Sequence, residues 1–132
     1  MPVDHDLHIQ TQLSPRQVLS QFFAGLEVHI TEGEVYEDGR VKYYVAANGF
    51  DAYAIQRLPD ETVNQHFLGF VPTVLLWFRL TEDETAVEIM RMIAQRAKQL
   101  AESTQCNTAL FFNNGIIPMF LYVNQEYQFD NT

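Results

Sequence analysis

The residue types suited to metal binding and acid–base work gather first at the start of the chain, where Asp4, His5, Asp6 and His8 fall close together. Carboxylates and imidazoles in such a cluster can hold a divalent cation. The segment 4–12 alternates, however, with His5, Leu7, Ile9 and Thr11 on one side and Asp4, Asp6, His8 and Gln10 on the other. That is the two-residue period of a strand with one buried face, so His5 and His8 point apart. Asp4, Asp6 and His8 do share a face, but a solvated strand face explains them without an ion, and short motifs of this kind are weak. No metal ligand is assigned. His29 and His66 stand alone.

Nucleophilic chemistry finds no better footing. Cys106 is the one cysteine, so the chain has no internal disulfide and no cysteine-based zinc site. It follows the predicted end of a helix, where the dipole disfavours a thiolate. Gly-x-Ser-x-Gly is absent, and the six glycines are too scattered to cradle a phosphate. No catalytic residue and no cofactor is expected, and the chain reads as a non-enzyme.

The charge pattern is more informative. Acids outnumber bases 17 to 8, for a formal charge of −9. Affinity for nucleic acid comes mainly from Lys and Arg, so a nucleic-acid surface is excluded. A basic protein partner suits this charge, because an acidic face speeds encounter. Glu27, Glu32, Glu34, Glu37 and Asp38 fall in one stretch without a Lys or Arg. A solvated loop or hairpin is the usual explanation of such a run. As a binding surface, its candidate partner-contact residues are Glu32, Glu34, Glu37 and Asp38.

The elements that must position these residues follow from period and punctuation. With 132 residues, 47% hydrophobic and 19% charged, the chain has the length and balance of one globular domain, residues 1–132. After the first strand, Ser14-Pro15-Arg16-Gln17 opens a helix with a capping box, and Leu13 and Val18 are spaced as a hydrophobic staple. Val18, Leu19, Phe22, Phe23 and Leu26 form its apolar stripe, and Gly25 lies near its stop. Asp38-Gly39 and Asn48-Gly49 predict hairpin turns with both central residues at positive φ. Val41–Ala47 and Phe50–Arg57 are the strands around the second, and 31–38 reads as a loop or an extra strand. Residues 58–71 show no clear period.

Thr73–Leu80 is apolar on both faces, as a central strand is. Thr81-Glu82-Asp83-Glu84 predicts a second capping box, opening a helix to about Ser103. Its buried stripe is Val87, Met90, Ile93, Ala94, Ala97, Leu100 and Ala101. Thr108–Phe112, an Asn114-Gly115 turn and Ile116–Val123 follow, with Pro118 pointing to an edge strand or a late start. Phe22, Phe23, Trp77, Phe78, Phe111, Phe112 and Phe120 are expected in the core.

The order is β-α-β-β-(β)-β-α-β-β, an α+β fold with an antiparallel sheet and both helices on one face. Each half runs strand, leucine, capped helix, strand, hairpin. That order reads as an internal duplication, with little residue identity between the halves. The longest apolar run, Val74–Phe78, is closed by Arg79 and is far short of a membrane span. The start has no signal-peptide layout. A cytoplasmic, membrane-free protein is expected.

Three stretches carry a family resemblance. They are Asp6-Leu7-His8 through Leu13-Ser14-Pro15-Arg16-Gln17-Val18-Leu19, Leu68-Gly69-Phe70-Val71-Pro72-Thr73-Val74 through Phe78-Arg79-Leu80, and Ala109-Leu110-Phe111-Phe112-Asn113-Asn114-Gly115. In these the chain resembles the immunity proteins of bacterial Sit polymorphic-toxin systems. The likeness spans most of the chain except 27–57, and it departs from the family at Met119-Phe120-Leu121-Tyr122, where a basic residue is expected. It implies a protein that binds and occludes a cognate toxin, and it carries over no catalytic residue. Two other readings stay open. One is a small-molecule binder with a pocket between sheet and helices, using His66, Tyr53, Arg57 and Arg79. The other is a homo-oligomeric module, such as a homodimer paired through tyrosines on the sheet face away from the helices.

Overall fold

The computed structural model of the chain describes residues 3–61, 68–81, 84–112 and 117–132. Its elements in chain order are β1 (Val3–Ile9), α1 (Pro15–Phe22), β2 (Ile30–Val35), β3 (Val41–Ala47), β4 (Phe50–Gln56), a 3-10 turn (Pro59–Glu61), β5 (Val74–Leu80), α2 (Ala86–Thr104), β6 (Thr108–Phe112), β7 (Ile117–Val123) and β8 (Glu126–Asp130). The strands make one eight-stranded sheet in the order β2-β3-β4-β5-β1-β6-β7-β8. Every neighbouring pair is antiparallel. Both helices pack on one face, as the pattern predicts, and no helix among the described residues is long and apolar enough to cross a membrane.

Alternation decides what faces the helices. Leu7 and Ile9 of β1, Ala52 and Ala54 of β4, Leu76 and Phe78 of β5 and Leu110 of β6 all point that way. They meet Val18, Leu19 and Phe22 of α1 and Ile93, Ala97, Leu100 and Ala101 of α2. Each large side chain buried there stabilises the fold by roughly 1.5–3 kcal/mol. The alanines on β4 leave room for α1 to lie close. A smaller cluster forms on the other face, where Leu68 and Phe70 cover Ala109, Phe111 and Val123.

The first helix starts as its sequence dictates. Ser14 Oγ accepts from the Gln17 N–H at 3.2 Å, and Gln17 Oε1 accepts from the Ser14 N–H at 2.8 Å. At its other end Arg96 of α2 donates Nη1 to the Phe22 and Ala24 carbonyls at 2.9 and 3.1 Å. An arginine from one helix thus satisfies the open carbonyl end of the other. Leu26 lies past the helix and is 44% exposed, so it leaves the predicted stripe.

The second helix starts later than its sequence suggests. It begins at Ala86 with Thr85 as N-cap, and Thr85 makes no side-chain capping bond. Thr81 is otherwise engaged: its N–H donates to the Gly49 carbonyl at 3.0 Å, which continues the line of β5. Glu82 and Asp83 of the predicted box lie outside the described residues. The shifted start turns Ala86, Ile89 and Met90 inward and leaves Val87 exposed.

The turns also differ from expectation. At Asp38-Gly39 and Asn48-Gly49 only the glycine has positive φ, +90° and +92°. In the first, the Tyr36 N–H donates to the Arg40 carbonyl at 2.8 Å and the Tyr36 carbonyl accepts from the Gly39 N–H at 2.9 Å, so the loop is a three-residue turn closed by a left-handed glycine. The tight turn with two left-handed residues is instead Asn124-Gln125, at φ 53° and 63°, between β7 and the unanticipated β8. The Asn114-Gly115 turn lies outside the described residues. β7 is an interior strand despite Pro118. Pro118 pairs with Phe111 at a register shift, and β8 reaches only to Phe120, so among the described residues no strand lies beside Pro118 on that side.

Lys98, placed by sequence at the helix end, ties β8 down by an ion pair to Asp130 at 2.7 Å. Tyr127 donates to Glu102 at 2.8 Å beside it. With β8 counted, each half runs β-α-β-β-β. The sheet joins the halves unequally, however: β5 takes the last strand of the first meander, β4, while β1 takes the first strand of the second, β6.

Candidate functional site

The sheet face away from the helices gathers the polar and aromatic side chains. Cross-strand register sets them in rows. One row runs Tyr44, Tyr53, Trp77, Asp6 and Phe111 across β3, β4, β5, β1 and β6. The next runs Ile55, Leu75, His8 and Ala109. On the other side lie Ala46, Asp51, Arg79 and Asp4. Trp77, expected in the core, stands on this face because it alternates with the buried Leu76 and Phe78. Phe112, also expected in the core, lies on the helix side by register but at the end of β6, where it is 39% exposed and stacks on the His5 ring at 4.7 Å.

A cleft of about 200 Å³ opens on this face where β3, β4 and β5 meet the Tyr36 turn. Tyr53, Ile55, Leu75 and Trp77 form its floor, and Tyr36, Arg40, Lys42 and Arg57 its rim. Lys42 Nζ lies 4.4 Å from the Tyr53 ring centre and 5.5 Å from that of Trp77. Arg40 is fixed by Asp38 at 2.8 Å, by the Gln56 carbonyl at 2.7 Å and by the Tyr36 ring below it. Arg79 crosses the Trp77 ring at 5.2 Å and meets Asp4 at 3.3 Å. The interface between sheet and helices, by contrast, is packed with buried apolar side chains. A groove of about 560 Å³ does open at the margin of that interface, between α2 and the β7–β8 end of the sheet, lined by Met90, Ala94, Lys98, Glu102 and Met119; of the four residues predicted for a pocket, Tyr53 and Arg57 line the cleft on the opposite face instead. Arg79 neighbours it through Trp77, and His66 lies outside the described residues.

The ionisable cluster at the chain start divides as the strand period requires. His5 is buried on the helix side, and burial lowers its pKa, partly offset by Asp4. His8 shares the open face with Asp6 but lies deep, edge-on to the Phe111 ring at 5.5 Å, and its Nδ1 is buried without a hydrogen-bond partner. Burial, then the charge of Arg57, pushes His8 down to about 4. Burial and then Asp4 raise Asp6, against the pull of Arg57. No group of three potential metal ligands exists among the described residues. Cys106 is bonded locally, its thiol to the Thr104 carbonyl at 3.6 Å.

The acidic stretch lies at the far edge of the sheet. Glu32 and Glu34 are exposed on the edge strand β2, and Glu37 and Asp38 are exposed in the turn that follows. A register shift between Glu32 and Val35 puts one extra residue into β2 opposite Lys42. Charge and a bulge together blunt an open sheet edge against pairing with another chain. Asp38 has a further task, since its carboxylate also accepts from the Arg40 N–H at 3.1 Å and so shapes the turn.

Arg40, Lys42 and Tyr36 are not among the residues expected from sequence to form a site. The signal was there: Arg40, Lys42 and Tyr44 share one parity, and the Asn48-Gly49 hairpin sets that parity beside Tyr53, Ile55 and Arg57. The Pro72-Thr73 motif has a structural role. Thr73 Oγ1 donates to the Thr11 carbonyl at 2.7 Å and accepts from the Thr11 N–H at 2.9 Å, locking the end of β1 to the entry of β5.

A family model described as SitI3-like matches residues 3–131. No curated protein matches the chain.

Proposed function

The chain belongs to the SitI3-like family, and we propose that it acts as an immunity protein, a non-enzymatic cytoplasmic binder that neutralises a cognate bacterial toxin by occlusion. The family match over nearly the whole chain is the observation that carries this reading. The surface charge supports it. Glu32, Glu34 and Glu37 project from the β2 edge and its turn, with Asp38 beside them, in a chain of net charge −9. Such an edge attracts a basic partner over a Debye length of about 8 Å at physiological salt. It also suits a toxin that is basic where it grips nucleic acid. In this reading the four acids are the partner-contact residues, and Asp38 contributes with the part of its side chain not engaged by Arg40.

Co-expression with the toxin candidate encoded beside this gene tests the proposal. Restored growth and co-purification are expected. A neighbour without toxicity, or a toxin whose effect is unchanged, refutes it. The acidic edge is tested separately by replacing Glu32, Glu34 and Glu37 with Gln. Slower association and a weaker salt dependence are expected from losing rim charges. Unaltered association discards this edge as the contact surface.

A further inference from the structure

We propose that the cleft between β3, β4 and β5 binds a small organic anion, a carboxylate or phosphate on a short apolar stem. The chain has 8 basic residues, and three of them, Arg40, Lys42 and Arg57, converge on this one cleft with no acid among its lining residues. Arg40 is already held by Asp38 and the Gln56 carbonyl, so it is a fixed positive wall. Lys42 is different. It lies half-buried over two rings, and no carboxylate pairs with it among the described residues. Aromatic faces attract an ammonium but do not neutralise it. An anion at the rim completes the charge balance in a setting where water screens poorly. Below it, Ile55 and Leu75 offer an apolar floor.

Size narrows the ligand class. The cleft holds about 200 Å³. At ~30 Å³ per water, that is room for roughly six or seven waters, enough for an aryl or short alkyl acid and too little for a polymer. The acidity of the rest of the chain also repels a polyanion while one small anion can still enter. The cleft adjoins the turn that carries Glu37 and Asp38, with Asp38 bonded to Arg40 of its rim, but its lining is basic and aromatic where the β2 edge is acidic, and its test uses small acids and no toxin.

Trp77 is the only tryptophan in the chain and lines the cleft, so its indole N–H signal in a nitrogen–proton NMR spectrum reports this site alone. The full chain is titrated with benzoate and with phenyl phosphate at constant ionic strength, with benzamide as the neutral control. A saturable shift with either acid, and none with benzamide, is expected. Lys42→Met keeps the stem and removes the charge; it should weaken binding about 10- to 100-fold, the worth of one charge-assisted bond. Its unchanged spectrum elsewhere verifies the fold, and Arg91→Met, on the exposed side of α2 across the sheet, should bind as the parent does. Overturning results are an equal shift with benzamide, no saturation with either acid, or undiminished affinity in Lys42→Met.

Discussion

His8 makes the stability of this protein depend on pH in a way that can be computed from its surroundings. In the unfolded chain it titrates near 6.5, and in the fold burial and Arg57 push it to about 4. The folded state therefore holds His8 neutral, and the unfolded state takes up the proton first. The resulting stability is fully present above pH 6.5 and is lost as pH falls toward 4. Between these limits the loss approaches 3 kcal/mol, and by pH 5 it is about 2 kcal/mol, at 1.36 kcal/mol per pKa unit. Asp6 works with the opposite sign. Its raised pKa means that the fold binds its proton before the unfolded chain does, which offsets part of the loss in acid. Urea unfolding at pH 8, 6 and 5, for the parent and for His8→Gln, separates the two. Asp6 and His5 remain in both proteins, so the difference between the curves isolates His8. The gap should close by about 2 kcal/mol from pH 8 to pH 5. His8→Phe should flatten the profile in the same way, which guards against an effect peculiar to Gln. Parallel curves for parent and variants would show that His8 charges freely in the fold and would refute the argument.

Three further outcomes follow from the geometry. Gly49→Ala should destabilise by about 1–2 kcal/mol, because a residue with Cβ must adopt the left-handed region there. Its Cβ also meets Ile89 Cδ1 at 2.6 Å, which the flexible Ile89 tip can relieve, so thermal unfolding should show mainly the backbone cost. Ser14→Ala removes the acceptor of the capping box and should cost about 1 kcal/mol in urea, with no change in the unfolding slope. Arg96→Met leaves the Phe22 and Ala24 carbonyls without their donor and should cost about 1–3 kcal/mol; amide exchange in the last turn of α1 should accelerate with it.

Much of the fold is written in local signals, and the places where it is not share a cause. The alternation of β1 and the Ser14 box each depend on residues close in sequence, and both formed as predicted. The Thr81 box has the same letters, but the Gly49 carbonyl, distant in sequence, claims the Thr81 N–H, and the helix starts later. Pro118 reads as an edge marker, yet its tolerance depends on where β8 ends. β8 itself has little apolar alternation, and it is held by Lys98 and Glu102 of α2, partners that only the folded chain supplies. The cleft was half legible. Tyr53 and Arg57 stand out on one strand, but their convergence with Lys42 and Trp77 depends on the order of three strands. The family stretches identify strand entries and caps, and these are positions where the backbone is locked, as at Thr73.

The unequal joining of the two halves has a consequence in time. β1, the earliest of these eight strands in chain order, occupies the middle of the sheet, between β5 and β6. Its partners are residues 74–80 and 108–112. A growing chain therefore carries an apolar strand with both flanks open until residue 80 has been made, and with one flank open until residue 112 has. The β2-β3-β4 meander can form early from neighbours alone, but the sheet closes only when distant segments arrive, which slows folding and lengthens exposure. The short α1 packed over that meander gives the early product a cover, and the alternating acids and histidine of β1 keep half of the waiting strand polar. The centre of the sheet thus waits on strands from the second half of the chain.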